Sequence, residues 1–264
     1  MSEIKISACI ITLDEADRIG ACLESLSVVD EIIVVDSGST DGTREICREC
    51  GATVFENAWP GHVEQKNHAV ERATNDWVLC LDADERLSDP LAAAIRALKA
   101  TGPGDHRAFA LNRHTEYLGR WIDHCGWYPQ WRTRLFDRRH GRWTGTNPHD
   151  RVAVDGGVGS LDGDLLHHTY RSLSDHLKTI DNFTSIAARE RHAKGERSGV
   201  FKMLFGSLWR TFRVYILRRG FLDGRPGLIL AVMAGYYVFL KHAKLYEIER
   251  GKRAGDASGE EAAR

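Results

Sequence analysis

The most constraining feature of the chain is a series of short apolar runs, three of them ending in a carboxylate, separated by stretches of helical period. IKISACII (4–11), EIIVVD (31–36), ATVFE (52–56) and DWVLCLD (76–82) read as strands. The first, second and fourth lack polar alternation, so they are expected to be buried on both faces, as in a parallel sheet covered by helices. Between them, Ile19, Cys22, Leu23 and Leu26 share one helical face. Residues 43–50 and 63–73 predict two further helices, the first capped by Asp41 or Thr43. Pro90 opens another, at the first turn where proline fits, running to Lys99. In such β-α-β sheets ligands bind beyond the carboxyl ends of the strands. Asp14, Asp36, Asp82 and Asp84 all fall at such ends.

Beyond residue 105 the texture changes. Trp121, Trp127, Trp131 and Trp143 lie close together in sequence, and the strands look short: Ala108–Asn112, Thr133–Phe136 and Asp164–His168. Residues 174–194 and 200–219 read as helices, and another follows Gly227 to Glu249. The organisation expected is an α/β domain at 1–195, with a regular half at 1–104 and a less regular half at 105–195. An amphipathic helical extension at 196–250 and a polar, disordered tail at 251–264 complete it.

The formal net charge is -1, which gives no global basic field for nucleic acid. The average conceals an asymmetry. Residues 197–245 hold nine Lys/Arg and a single acid, Asp223, a local +8. The six cysteines do not make a disulfide framework in a chain this long, and the lone CxxC of Cys47 and Cys50 has no second pair for zinc. They read as reduced, buried, structural residues. The N-terminus lacks an apolar h-region and is expected to enter the first strand directly. The most apolar stretch, Gly227–Leu240, falls short of the roughly 18–20 residues that span a bilayer, so a surface-lying helix is expected instead.

Two motifs carry chemistry. LDADE (81–85) sets Asp82 and Asp84 two residues apart after a buried strand, on the same side of an extended chain. Such a pair suits a shared Mg2+ or Mn2+ bridging to phosphate, although paired aspartates are also common in solvated turns. VVDSGSTDGT (34–43) puts Asp36 where a carboxylate can accept from a base N–H or a ribose hydroxyl; a helix-capping turn is the alternative. The dinucleotide fingerprint G-x-G-x-x-G and the P-loop are both absent, which argues against those two nucleotide classes.

IITLDE (10–15), VVDSGSTDGT (34–43), WPGHVEQKNHAVERATNDWVLCLDADE (59–85) and RLF (134–136) together resemble the inverting nucleotide-sugar glycosyltransferases of family 2, with a GT-A fold. The spacing is most similar to the lipopolysaccharide-core β-glucosyltransferase branch. The resemblance is strong over 4–170 and continues through HHTYRSLSDHLKTIDNF (167–183) and RRGFLDGRPG (218–227). It implies a mostly parallel Rossmann-like sheet in a catalytic domain at 1–195, with 1–104 the nucleotide-sugar-binding half and 105–195 the acceptor-side half, and transfer of a hexose, with inversion, from a UDP-sugar to a hydroxyl of a lipid-linked saccharide. Asp36 would bind the uracil or ribose, and Thr12 and Glu15 would lie beside the nucleotide. Asp82 would contact ribose or metal, and Asp84 would hold Mg2+ or Mn2+ on the diphosphate.

Further residues carry a functional reading with a plainer one beside it. Lys66, beside Gln65 and Asn67, would touch phosphate or sugar, or serve as a solvated helix charge. In NPHD (147–150), where the family often has His-Glu, Asp150 would be the catalytic base, or a loop carboxylate capping a strand. Arg134 would stabilise the leaving phosphate or pair with an acid. Of the adjacent His167 and His168, only one can face the metal, and His167 is the candidate, against a structural role. Trp121, Trp127 and Trp143 would stack on sugars or pack.

The implied location is the cytoplasm, peripherally on the inner face of the cytoplasmic membrane. The basic stretch 197–245 would meet an anionic surface, unless it packs on the catalytic domain or a second subunit. A polyprenyl phosphate or peptide side chain as acceptor, and a non-catalytic nucleotide-sugar-binding membrane protein, remain the alternatives.

Overall fold

The computed structural model describes residues 4–146 and 149–261. It divides into two compact units. The first is built from the chain up to Thr115 and from Pro129–His168; the second from Glu116–Tyr128 and from Thr169 onward.

In the first unit the expected alternation is present: β1 (Ile6–Thr12), α1 (Ile19–Glu24), β2 (Glu31–Asp36), α2 (Thr43–Glu49), β3 (Thr53–Glu56), α3 (His62–Arg72) and β4 (Trp77–Asp82). β1 pairs in parallel with β2 and β4, and β2 with β3. Successive side chains of β1 serve opposite faces, because the strand period is two. Ile6, Ala8 and Ile10 pack with Ile19, Cys22 and Leu23 of α1, and with Leu91, Ile95 and Leu98 of α4 (Asp89–Thr101). Cys9 and Ile11 face the other way, toward Ala69 and Val70 of α3 and toward Trp143. Each fully buried Leu or Ile contributes about 2 kcal/mol, so α4 docks mainly through its three-residue stripe. The Ser88 hydroxyl accepts from Leu91 N and fixes where that helix begins. At α2 the expected cap differs. Gly42, at φ 91°, takes the N-cap position, while Asp41 accepts from Thr43 N and Ala16 N and so ties two loops together.

The sheet then turns antiparallel. Its order is β3-β2-β1-β4-β8-β6-β11-β5, where β5 is Glu85–Leu87, β6 His106–Tyr117, β8 Trp131–Asp137 and β11 Gly157–His168. Four strand spacings separate β4 from β5, about 19 Å along a flat sheet. The chain joins them from Asp82 to Glu85, a reach of about 10 Å at full extension. The sheet must therefore curl until its last strands come back beside the end of β4. Gly163 permits part of this. It sits at φ 95°, and a Cβ there would meet Leu91 N at 2.3 Å. A separate hairpin, β9 (Gly141–Thr146) and β10 (His149–Val154), completes the unit.

The second unit is helical: α5 (Leu173–Ala193), α6 (Val200–Phe212), a π turn (Arg213–Leu217), a 3-10 turn (Gly220–Asp223) and α7 (Gly224–Glu261). Glu116 and Tyr117 pair with Trp121 and Arg120 of β7 (Arg120–Trp121). Tyr117, Ile122, Cys125, Val214, Leu230 and Ala231 form its core. Asp223 is buried and accepts from the backbone N–H groups of Asp123 and His124. α5, expected within the catalytic domain, packs instead against α7, where Lys244 Nζ donates to Asp181 Oδ1 at 2.7 Å and to Ser185 Oγ at 2.6 Å.

Three local expectations are corrected. The helix expected at 200–219 gives way to a π turn after Phe212. α7 runs past Glu249 to Glu261, so the stretch read as the start of a disordered tail is helical up to there, and 262–264 lie outside the described residues. Cys50 is exposed, whereas the other five cysteines are buried as expected. The stretch Gly220–Gly251 is also long and apolar enough to cross a membrane by length and composition alone, with 28% of its most apolar window buried in the protein. The run Gly227–Leu240 falls short because Arg225 and Lys241 bound it, whereas the longer helix tolerates those charges.

Candidate active site

The carboxyl ends of β1 and β2 carry two loops that are stitched together. Asp36 closes β2 and is fully buried. Its Oδ1 accepts from Gly38 N at 3.0 Å and Ser39 N at 2.8 Å, and Ser39 Oγ donates to its Oδ2. Arg44 Nε lies 3.8 Å away. Asp14 adopts φ 51°, costly for a residue with a Cβ, and accepts from Thr40 N at 2.8 Å. Thr43 Oγ1 accepts from Glu15 N at 2.9 Å. Thr12 is in register with Asp36, and its buried Oγ1 has no hydrogen-bond partner among the described residues. Thr12, Glu15 and Asp36 thus share one strand-end edge.

The QKN triplet of α3 distributes three consecutive side chains to three neighbours. Gln65 Nε2 donates to Ser37 Oγ at 3.0 Å, which ties α3 to the loop after β2. Asn67 grips the backbone of Trp143 from both sides, donating to its O and accepting from its N, each at 3.0 Å. That grip fixes the β9–β10 hairpin, and with it Asp150. Lys66 is buried between them. Its Nζ lies 2.7 Å from Asp150 Oδ2, 3.1 Å from Asp82 Oδ1 and 4.4 Å above the Trp143 ring. The reading of Lys66 as a solvated helix charge is therefore set aside. Trp143 is itself buried and donates Nε1–H to Cys80 Sγ, so it packs rather than offering a face to sugar. Asn147 and Pro148 of NPHD lie outside the described residues.

At the end of β4 the curl of the sheet assembles charges from four elements. Arg134 Nη2, from β8, donates to Asp82 Oδ2 at 3.0 Å and to the fully buried Glu85 Oε1 at 2.8 Å. Glu85 Oε2 in turn accepts from Asp82 N at 3.0 Å. Arg113 Nη1 stands 3.7 Å from Glu85. Burial would raise the Asp82 carboxyl, but Lys66 and then Arg134 more than reverse this and hold it far below the usual carboxylate range. Its side chain keeps 31% of its surface open, so solvent screens part of that effect. Burial would equally lower Arg134, and Glu85 and then Asp82 outweigh it and keep the guanidinium protonated. Of the two roles anticipated for Arg134, pairing with an acid is the one the structure shows.

Asp84 points elsewhere. Its Oδ2 is 3.3 Å from His167 Nε2 and 3.8 Å from Arg18 Nη1. Thr115 Oγ1 lies 3.2 Å from His167 Nδ1 and orients the ring, while His168 contributes its N–H to Asp84 O. A carboxylate and an imidazole held this close, at a partly open position, fit a hard or borderline divalent ion that takes its other ligands from substrate oxygens. Asp82 is engaged by two cations instead, and no group of three or more His, Cys, Asp or Glu that could hold a metal forms among the described residues.

The structure thus joins Lys66, Asp82, Asp150 and Arg134 in one network and Asp84 with His167 in another. Sequence reading missed Glu85 as a buried partner, and Arg18 and Asn67 as positioning groups. Only Glu85 left a sequence signal, as the last residue of LDADE.

A sheet that begins parallel, turns antiparallel and presents carboxylates beyond β1, β2 and β4 defines a GT-A glycosyltransferase fold. Residues 7–154 match Glycosyl transferase family 2, and the chain belongs to that family. It is 31% identical over 261 residues to an uncharacterized glycosyltransferase of Rickettsia felis, covering 92% of this chain and 90% of that one. It is 28% identical over 252 residues to the lipopolysaccharide core biosynthesis glycosyltransferase LpsC of Rhizobium meliloti, covering 93% of each. Among solved structures, the mannosyltransferase PcManGT of Pyrobaculum calidifontis, in complex with GDP-Man and Mn2+, aligns with a TM-score of 0.53 at 16% identity, over 93% of this chain and 88% of that one, a likeness of fold.

Proposed function

We propose that the chain transfers a hexose, with inversion, from a UDP-sugar to a hydroxyl of a lipid-linked saccharide of the lipopolysaccharide-core type, working from the cytoplasm on the inner face of the cytoplasmic membrane. The observation that carries the reading is the juxtaposition at one strand-end edge of a buried Asp36, the Lys66–Asp82–Asp150 network and the Asp84–His167 pair. The similarity to LpsC along nearly the whole chain supports the acceptor class.

In this reading Asp36, Thr12 and Glu15 receive the nucleoside. Asp84 and His167 would hold Mg2+ or Mn2+, which when bound neutralises charge on the departing diphosphate. Asp150 takes the proton of the acceptor hydroxyl as its oxygen bonds to the anomeric carbon and the bond from that carbon to the diphosphate oxygen breaks. Lys66, 2.7 Å from Asp150 Oδ2, holds that side chain in place. Arg134 and Glu85 hold Asp82 in position through its carboxylate and its backbone N–H. Titration calorimetry with UDP, GDP and UDP-sugars, with and without Mn2+, tests the reading. Metal-strengthened UDP binding that is lost in Asp36→Ala is expected, and binding of GDP alone would overturn the donor assignment.

A further inference from the structure

The helices of the second unit carry an apolar surface that its core does not use. No residue of α6 is buried. Phe201, Leu204, Phe205, Leu208, Trp209 and Phe212 follow the i, i+3, i+4 spacing of one stripe, and Phe201 and Leu208 are 73% and 70% exposed. Ile216, Leu217, Phe221 and Leu222 in the turns that follow are exposed as well, and so are Leu228, Val232 and Tyr236 of α7. The two helices are locked side by side in antiparallel fashion. Ser207 Oγ donates to Gly235 O at 2.7 Å, Ser198 Oγ to His242 O at 2.8 Å, and a Cβ on Gly235 would meet Thr211 Oγ1 at 2.1 Å. The apolar surface is thus a property of a rigid pair.

Its charge is one-sided. Lys202, Arg210, Arg213, Arg218, Arg219 and Arg225 are all exposed. The single acid of 197–245, Asp223, is buried on the backbone of 123–124. Partial burial, and then Arg213 and Arg218, pull the Arg210 guanidinium below its ordinary value, the mark of cations crowded without a carboxylate. An exposed apolar stripe ringed by cations is complementary to an anionic leaflet, and a second copy of the same basic face would repel it. Gly220–Gly251 is long enough to span, so the choice between lying and spanning turns on where its charges fall. The uncharged run Pro226–Leu240 lies between Arg225 and Lys241 and is about 22 Å long as a helix, against a hydrocarbon core of about 30 Å. Its other side is committed to the protein through Leu230, Ala231, His242 and Leu245.

We propose that α6, the two turns and the first half of α7 form a monotopic foot that lies in the plane of an anionic membrane, with the Phe201–Phe212 stripe at the acyl boundary and the flanking arginines on lipid phosphates. The foot deepens the membrane part of the proposed function and rests on it. It would act by keeping the catalytic unit at the surface where a lipid-borne acceptor is concentrated.

The test uses the full chain and vesicles of phosphatidylcholine with or without phosphatidylglycerol. Sedimentation with the anionic vesicles is expected, weakening as salt rises and reversed by alkaline carbonate. Arg210→Gln/Arg213→Gln/Arg218→Gln/Arg219→Gln should lower partitioning about fivefold per charge, several-hundredfold in all. Phe201→Ser/Phe205→Ser/Leu208→Ser should lower it at every salt concentration. Both variants alter exposed side chains and should keep the helical circular dichroism and the UDP affinity of the parent, measured without vesicles. UDP binding therefore reports on the donor reading independently of the foot. Indifference of the parent to anionic vesicles at low salt, binding unchanged in the serine variant, carbonate-resistant insertion, or loss of vesicle binding in favour of a dimer would each overturn the proposal.

Discussion

Replacing Lys66 by methionine removes the ammonium that lies over Trp143 and keeps an unbranched apolar stem. The ammonium sits 2.7 Å from Asp150 and 3.1 Å from Asp82. At an effective dielectric of ~20 these pairs correspond to about 6 and about 5 kcal/mol of gross attraction. Desolvating the lysine offsets most of it. Taking one partner from a buried pair costs about 3–5 kcal/mol because the other charge is left uncompensated. Asp82 keeps 31% and Asp150 17% of their side-chain surface open, so the lower end, about 3 kcal/mol, is expected. For a chain of this size that is about 6–12 °C in Tm.

The pH dependence gives the sharper check. Asp82 is depressed in the folded protein, so its stabilisation is present above its unfolded value and lost only as pH falls through the folded one. Without Lys66, burial acts with Arg134 as the main remaining counterweight, and Asp82 takes up its proton at higher pH. The stability gap between parent and variant should be widest near neutrality and narrow on acidification. Differential scanning calorimetry across the acid range measures it, with Lys66→Met/Asp150→Asn closing a double-mutant cycle that should recover part of the loss. A variant melting within about 2 °C of the parent at neutral pH, or a gap independent of pH, would refute the electrostatic account.

Asp36→Asn keeps the shape but weakens the bonds to Gly38, Ser39 and Arg44; a loss of about 1–3 kcal/mol in denaturant unfolding is expected, together with loss of UDP binding. Asp84→Ala should abolish transfer with a Tm close to the parent, because its side-chain contacts are two ion pairs at a partly open site; metal-dependent turnover in that variant would remove Asp84 from the reaction. Gly163→Ala forces a Cβ toward the first turn of α4 at a positive φ and should cost several kcal/mol, read as a lowered denaturant midpoint.

The legibility of the sequence follows the range of the forces. β1, β2 and β4 are visible because burial on both faces writes an unbroken apolar run, and Asp36, Asp82 and Asp84 are visible because they interrupt that run at its end. β5 is not, because three residues are too few to show a period, and pairing with Leu165–His167 is what makes them a strand. Glu85 looks like one more acid of a polar turn; its burial depends on Arg134, which lies 49 residues away. Arg18 carries no local sign of its proximity to Asp84. The pairing of Lys66 with Asp150 joins residues 84 apart, and the grip of Asn67 on Trp143, with the burial of that ring against Ala69 and Val70, brings the hairpin to it. The exposed stripe of α6 was legible as amphipathic, but the pairing of α6 with α7 was not.

The curl that returns β5 to the end of β4 also sets an order of assembly. The parallel layer β1–β4 closes over contacts within the first 82 residues, whereas Asp84 meets His167 only after β11 has been made and has paired across the chain. Loop-closure entropy delays such distant pairings. During synthesis the edge that carries Asp36 can therefore be in place before the Asp84–His167 pair exists, so that on the proposed function the donor edge would precede the metal pair. Pulsed hydrogen exchange should protect β1, β2 and β4 before β5 and β11; simultaneous protection would mean that the curl forms with the layer rather than after it.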